Sequence, residues 1–159
     1  TCPFNVGEVK LLPSAKTAME YARDFCFQTF IVTNQPHVVT GRMESADLQA
    51  IMDYMSEELE VDGWRAALDP GSKWYKPNSE MIHDLVAEYD VDVEHSWLIG
   101  DRWKDIVAGK NAGLRTVWID GGSDSEAEYS PPPEYAHIWP DRVADDVFDA
   151  VLRIIEEEC

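Results

Sequence analysis

Short apolar runs alternate with segments of helical periodicity along this chain, and that alternation constrains its fold more than any other feature. Phe30-Ile31-Val32, Trp64 to Leu68, Trp97-Leu98-Ile99 and Leu114 to Ile119 have the length and residue types of buried strands. The stretches around them carry apolar residues at helical spacing. One holds Ala18, Met19, Tyr21, Ala22 and Phe25, another Leu48, Ile51, Met52, Met55 and Leu59, a third Met81, Ile82, Leu85, Val86 and Tyr89. Strands separated by helices do not pair as hairpins, so the pattern predicts an α/β fold with a mostly parallel sheet. Helix starts are expected at Pro13-Ser14, at Ser45 as N-cap and at Pro77. A short helix is expected over Asp105 to Ala112 with Gly113 as C-cap, an edge strand at Ala136 to Trp139, and a final helix over Val143 to Glu157. No repeat or boundary interrupts the 159 residues, which read as one domain.

The formal net charge of −18 argues against nucleic acid or an anionic membrane as a partner. Much of that charge is local, in Glu156-Glu157-Glu158 and in Asp124, Glu126 and Glu128, as expected of solvated surface. A membrane span would need about 18 consecutive apolar residues, and no such run occurs. Thr1-Cys2-Pro3-Phe4-Asn5 lacks the basic-then-apolar pattern of a secretory signal. Cys2, Cys26 and Cys159 are odd in number and widely spaced, which suits neither a disulfide framework nor a zinc cluster. A reducing, cytoplasmic compartment is the expectation.

Chemistry concentrates in three places. Trp97-Leu98-Ile99 runs into Gly100-Asp101, and Asp105 follows four residues later in the first turn of the next helix. Two carboxylates at the end of a buried strand suit a hard cation such as Mg²⁺, which takes oxygen ligands. Val32-Thr33-Asn34-Gln35 ends an earlier strand with a hydroxyl and amides, and Lys76-Pro77 sets a cation before a helix. In a doubly wound sheet all three meet at the carboxyl rim, where such folds bind ligands. His37 and Arg42 lie in the loop after the first strand, within reach of a leaving group, with solvent exposure as the plainer alternative for Arg42. His83 reads as a surface residue, and His95 and His137 offer no ligand pattern.

This ordered set resembles the haloacid dehalogenase superfamily, with Thr33 matching its second motif, Lys76 its third, and Asp101 with Asp105 its fourth. Val32-Thr33-Asn34-Gln35-Pro36, Leu11-Leu12-Pro13, the Lys76-Pro77 helix, Gly100-Asp101 through Asn111-Ala112-Gly113 and Pro140 to Asp145 look like the histidinol-phosphatase and heptose-bisphosphate-phosphatase branch. The resemblance implies a Rossmann-like three-layer αβα sandwich without a large cap domain; the segment from Gln35 to Arg42 is too short for one. It also implies Mg²⁺-dependent hydrolysis of a small phosphorylated metabolite, such as a sugar phosphate, through an aspartyl-phosphate. Thr33 and Asn34 would bind phosphoryl oxygens, Lys76 would neutralise the reacting pair, and Asp101 would hold the metal. Asp105 would act as a ligand through water or orient Lys76.

Two departures from the family pattern stand out. The first motif, a strand ending in Asp-x-Asp, is absent, and Thr1 to Asn5 resembles the stretch just after it. Glu8 stands in a surface connection and is a poor substitute. A chain without that strand is either part of a longer protein, such as a fused bifunctional one, or a degenerate, non-catalytic relative. The first reading is favoured, because loss of a central strand leaves the edges of the Ile31 and Leu98 strands unpaired. The second departure is the loop Asp69 to Tyr75, which lacks the cysteines of zinc-bearing relatives and has Tyr75 in place of an Arg. No structural zinc is expected.

Overall fold

Why the chain folds as alternating elements is visible in a computed structural model that describes residues 13–36, 40–41, 44–120 and 129–159. Helix α1 (Pro13–Asp24) leads to β1 (Phe30–Asn34), α2 (Ser45–Leu59), β2 (Gly63–Ala67) and α3 (Glu80–Tyr89). Then come β3 (Trp97–Gly100), α4 (Trp103–Asn111), β4 (Arg115–Ile119), β5 (Arg142–Ala144) and α5 (Val147–Glu158). Every strand pair is parallel: β1 with β2, β3 with β4, and β4 with β5. Opposite faces of the strands take different helices. Ile31 packs on α2, while Ile99 and Val117 meet α5; Val32 and Leu98 look the other way, towards Ile82 of α3 and Ala108 of α4. The result is three layers, helix on sheet on helix, with the expected α/β character. Among the described residues, no helix is long and apolar enough to cross a membrane.

Five expectations shift. Pro77 does not open α3; Asn78 N donates to Tyr75 O in a turn, and the helix starts at Glu80. Ser45 is the first helical residue of α2 rather than its cap, and Glu44 precedes it with extended backbone. Helix α4 begins two residues earlier than expected, at Trp103. The edge strand lies at Arg142–Ala144 rather than Ala136 to Trp139. Prolines remove backbone donors from ladders, and the segment after Pro131-Pro132-Pro133 winds into a short 3₁₀ turn whose Tyr135 carbonyl accepts from Ile138 N. Pairing resumes only past Pro140, so α5 starts later too, at Val147, with the Asp146 carboxylate accepting from Asp149 N at 2.7 Å.

The strands form two sheets rather than one. Among the described residues β1 pairs only with β2, and β3 only with β4. A cavity of about 560 Å³ lies between them, lined by Phe30, Ile31 and Val32 on one side and Trp97, Leu98 and Ile99 on the other. Backbone N–H and C=O groups alternate sides along a strand. Gln35 N bonds Ala67 O and Ser96 O accepts from Arg115 N. The groups of Ile31 and Thr33 therefore face β2, and those of Leu98 face β4. Those of Phe30, Val32, Trp97 and Ile99 point towards the cavity.

Candidate functional site at the carboxyl rim

Three separate segments converge at the carboxyl ends of β1 and β3. Gly100 makes the closest approach possible. A Cβ there would stand 2.3 Å from the Cβ of Asp105, so only glycine lets the first turn of α4 settle on the strand end. In that turn the Asp105 carboxylate accepts from Arg102 N at 3.2 Å, satisfying a helix N-terminal donor. The other end of α4 closes as expected around Gly113, with φ +84°. Gly113 N donates to Lys110 O and Leu114 N to Gly109 O, the paired bonds of a Schellman ending. Both ends of the helix that carries Asp105 are thus fixed.

Lys76 reaches the same point from the other side. Its ammonium donates to Asp105 Oδ1 at 2.5 Å and to Val32 O at 3.0 Å. Lys76 and Asp105 are only 9% and 8% exposed, so this is a buried ion pair. Asn34 clamps the backbone of Lys76: its amide donates to Lys76 O at 3.0 Å and its carbonyl oxygen accepts from Lys76 N at 2.9 Å. The Asn34 side chain is thereby committed to holding Lys76. Both oxygens of Asp105 are likewise engaged, which points its carboxylate at orienting Lys76.

Thr33 is half-buried one residue before the end of β1, with Gln35 Nε2 donating to its hydroxyl oxygen at 3.3 Å. Asp101 follows β3 directly and is half-buried. Arg42 and His37 lie outside the described residues. His83 is exposed, as expected. Trp103 packs on Tyr135 with ring centroids 5.8 Å apart. Lys104 lies over Trp103 and over Tyr75, the neighbour of Lys76, at 5.8 and 5.6 Å. Sequence reasoning did not assign the Asn34 clamp, the Val32 carbonyl, Gln35 or Lys104. The adjacency of Tyr75 to Lys76 and of Lys104 to Asp105 was the available signal for the last.

Chemically the carboxyl ends of β1 and β3 offer the Thr33 hydroxyl, the buried Lys76 ammonium and the half-buried Asp101 carboxylate, with the ammonium bonded to the carbonyl of Val32, a residue that lines the inter-sheet cavity. No group of three or more His, Cys, Asp or Glu placed to hold a metal ion occurs among the described residues. The donors present are oxygens, the set a hard divalent cation takes, and they include the half-buried carboxylate of Asp101 directly after β3.

A HAD-hydrolase-like family model matches residues 74–150, from the loop before Lys76 into α5. A D-glycero-D-manno-heptose-1,7-bisphosphate 7-phosphatase of Chlorobaculum tepidum is 29% identical over 168 aligned positions, covering 93% of this chain and 82% of that protein. A Rhodopseudomonas palustris D-glycero-β-D-manno-heptose-1,7-bisphosphate 7-phosphatase is 29% identical and covers 71% of each chain. Among solved structures, D,D-heptose 1,7-bisphosphate phosphatase from B. bronchiseptica, complexed with magnesium and phosphate, superposes with a TM-score of 0.82. That match is at 24% identity over 97% of this chain and 88% of the other, a likeness of fold. Its fold, the family model over residues 74–150 and its relatives along most of its length make this chain similar to HAD-like hydrolases, and within them to heptose-bisphosphate phosphatases.

Proposed function

We propose that the protein is a phosphatase of the haloacid dehalogenase type that hydrolyses a small phosphorylated sugar, the substrate class named for its relatives. The observation that carries this reading is the buried Lys76–Asp105 pair, whose ammonium also bonds the carbonyl of Val32, the residue before Thr33 at the end of β1. An ammonium held there by a carboxylate and a main-chain carbonyl is oriented in advance, so it can offset charge as two anions approach each other. Thr33 supplies a hydroxyl to a phosphoryl oxygen. Asn34 acts through Lys76 by fixing its backbone. Arg42 is assigned to the leaving-group side. Mg²⁺ fits the oxygen donors, with Asp101 holding it; when bound it supplies further charge neutralisation between carboxylate and phosphoryl group.

The attacking carboxylate belongs, in this reading, to a strand that precedes α1 and lies between β1 and β3. Such a strand would pair with the cavity-facing backbone groups of Phe30, Val32, Trp97 and Ile99, which is favourable for buried polar groups. Its carboxyl end would reach the rim beside Lys76. The deciding experiment measures phosphate release from a panel of sugar phosphates with Mg²⁺. It compares residues 1–159 with a form that carries the segment encoded upstream of Thr1. Turnover only in the longer form, abolished by EDTA, is expected. Inactivity of both would replace this reading with a non-catalytic relative, and activity of residues 1–159 alone would move the nucleophile into this sequence. Asp101→Ala should abolish Mg²⁺ binding measured by calorimetry; unchanged affinity would remove Asp101 from the metal site.

A further inference from the structure

Resting on the phosphatase reading, we infer that Gln35 is a positioning residue that fixes the Thr33 hydroxyl as a hydrogen-bond donor towards the bound phosphoryl group. Gln35 is held rigidly: it is 8% exposed, and its backbone N–H extends the ladder to Ala67 O at 2.8 Å. Its side-chain Nε2 donates to Thr33 Oγ1 at 3.3 Å. A hydroxyl has one proton and two lone pairs. With a lone pair taken by the amide, the proton must point elsewhere. Its acceptor among the described residues is Asn34 O at 3.5 Å, the outer limit of a hydrogen bond. The proton is therefore left for a ligand. A fully ionised phosphoryl group has only acceptor oxygens, so a hydroxyl locked as donor is what it requires.

The other half of the same amide strengthens the inference. Gln35 Oε1 is buried without a hydrogen-bond partner among the described residues. Burying an unsatisfied acceptor opposes folding. A methionine of similar volume would fill the space without that penalty. Glutamine at this site is thus explained by what its Nε2 does to Thr33, not by packing.

The test titrates inorganic phosphate into the full-length protein by calorimetry and follows KM and kcat for a sugar phosphate. Gln35→Met should weaken phosphate affinity by about tenfold, the scale of one hydrogen bond, while its urea midpoint stays level or rises. Thr33→Val should show a similar loss, and the double variant should be no worse than Thr33→Val alone, since both remove one donor. Additive losses, or a Gln35→Met protein with native phosphate affinity, would overturn the inference and leave the phosphatase reading standing. If Thr33→Val and Lys76→Ala both bind phosphate and turn over normally, Thr33 is not at the phosphoryl site and this inference fails; if the unaltered full-length protein turns over no sugar phosphate, the phosphatase reading itself fails.

Discussion

Lys76 carries one charge and connects three elements. Its ammonium is nearly out of water, balanced by Asp105, and its backbone is gripped by Asn34. Removing one member of a buried pair leaves the other charged and uncompensated. Lys76→Met should therefore lower stability by about 3–5 kcal/mol, read from urea denaturation, whereas Lys76→Met combined with Asp105→Leu should recover most of the loss. Gly100→Ala should cost about 1–3 kcal/mol by overpacking, because the new methyl would collide with the Asp105 side chain. Phosphate affinity should fall with it, as Asp105 is pushed off Lys76. Thr33 and Asp101 were legible as strand-end residues and Asp105 as a first-turn residue of a helix, whereas Lys76 stands in a turn ahead of α3, which starts only at Glu80. The Asn34 clamp was not legible, because Asn34 and Lys76 lie 42 positions apart and amide-to-backbone bonds leave no periodic trace.

Helix α5 is held at both ends by side chains of different character. At its start Asp146 caps Asp149 N, and Asp146→Ala should cost about 1 kcal/mol in thermal or urea unfolding. Near its end Glu158 accepts from Trp97 Nε1 at 3.0 Å and contacts His95 Nδ1 at 2.8 Å. The hydrogen bond with Glu158, and then the charges of Asp92 and Glu158, raise the His95 pKa above its ordinary 6.5. The bonds from His95 and Trp97 lower that of Glu158 below 4.5. A raised histidine stabilises fully below its unfolded value and loses that effect as pH rises through the folded one. A lowered carboxylate stabilises fully above its unfolded value and loses it as pH falls through the folded one. The tie is thus complete between pH 4.5 and 6.5 and weakens on either side. An NMR titration of the His95 ring should give a midpoint above 6.5, falling back in Glu158→Gln. At this scale the central elements were legible from periodicity, while the last strand was misplaced. Arg142-Val143-Ala144 is three residues long and has Val143 half-exposed, so neither alternation nor an apolar run marks it.

For the whole molecule, the parallel α/β plan followed from alternation alone, but the division into two sheets did not. Pairing is a relation between distant segments, and a strand's sequence does not record which neighbour it lacks. The division has a geometric order in the chain. Residues 13–67 build the sheet of β1 and β2, and residues 97–144 build the sheet of β3, β4 and β5. Contact between α1 and α5 joins the halves at the back, through Ala18 and Ala22 against Val151 and Ile155. Asp141 fastens the second half internally. Burial works against its ionisation, yet the bonds from Lys110 and from Thr116 outweigh burial and hold its pKa below 3.8.

Across the front, the Lys76 ammonium touches the Val32 carbonyl of one sheet and the Asp105 carboxylate poised over the other. It is a rivet as well as a charge. An anion bound beside it would draw on the same ammonium and so alter how tightly the two halves are joined. The rigidity of the molecule should then report on its occupancy: amide hydrogens of β1 and β3 near the rim should exchange at different rates with and without inorganic phosphate, while those of β4 keep their rates. Measured that way, the side chain that offsets charge would also be the hinge pin of a two-leaved body.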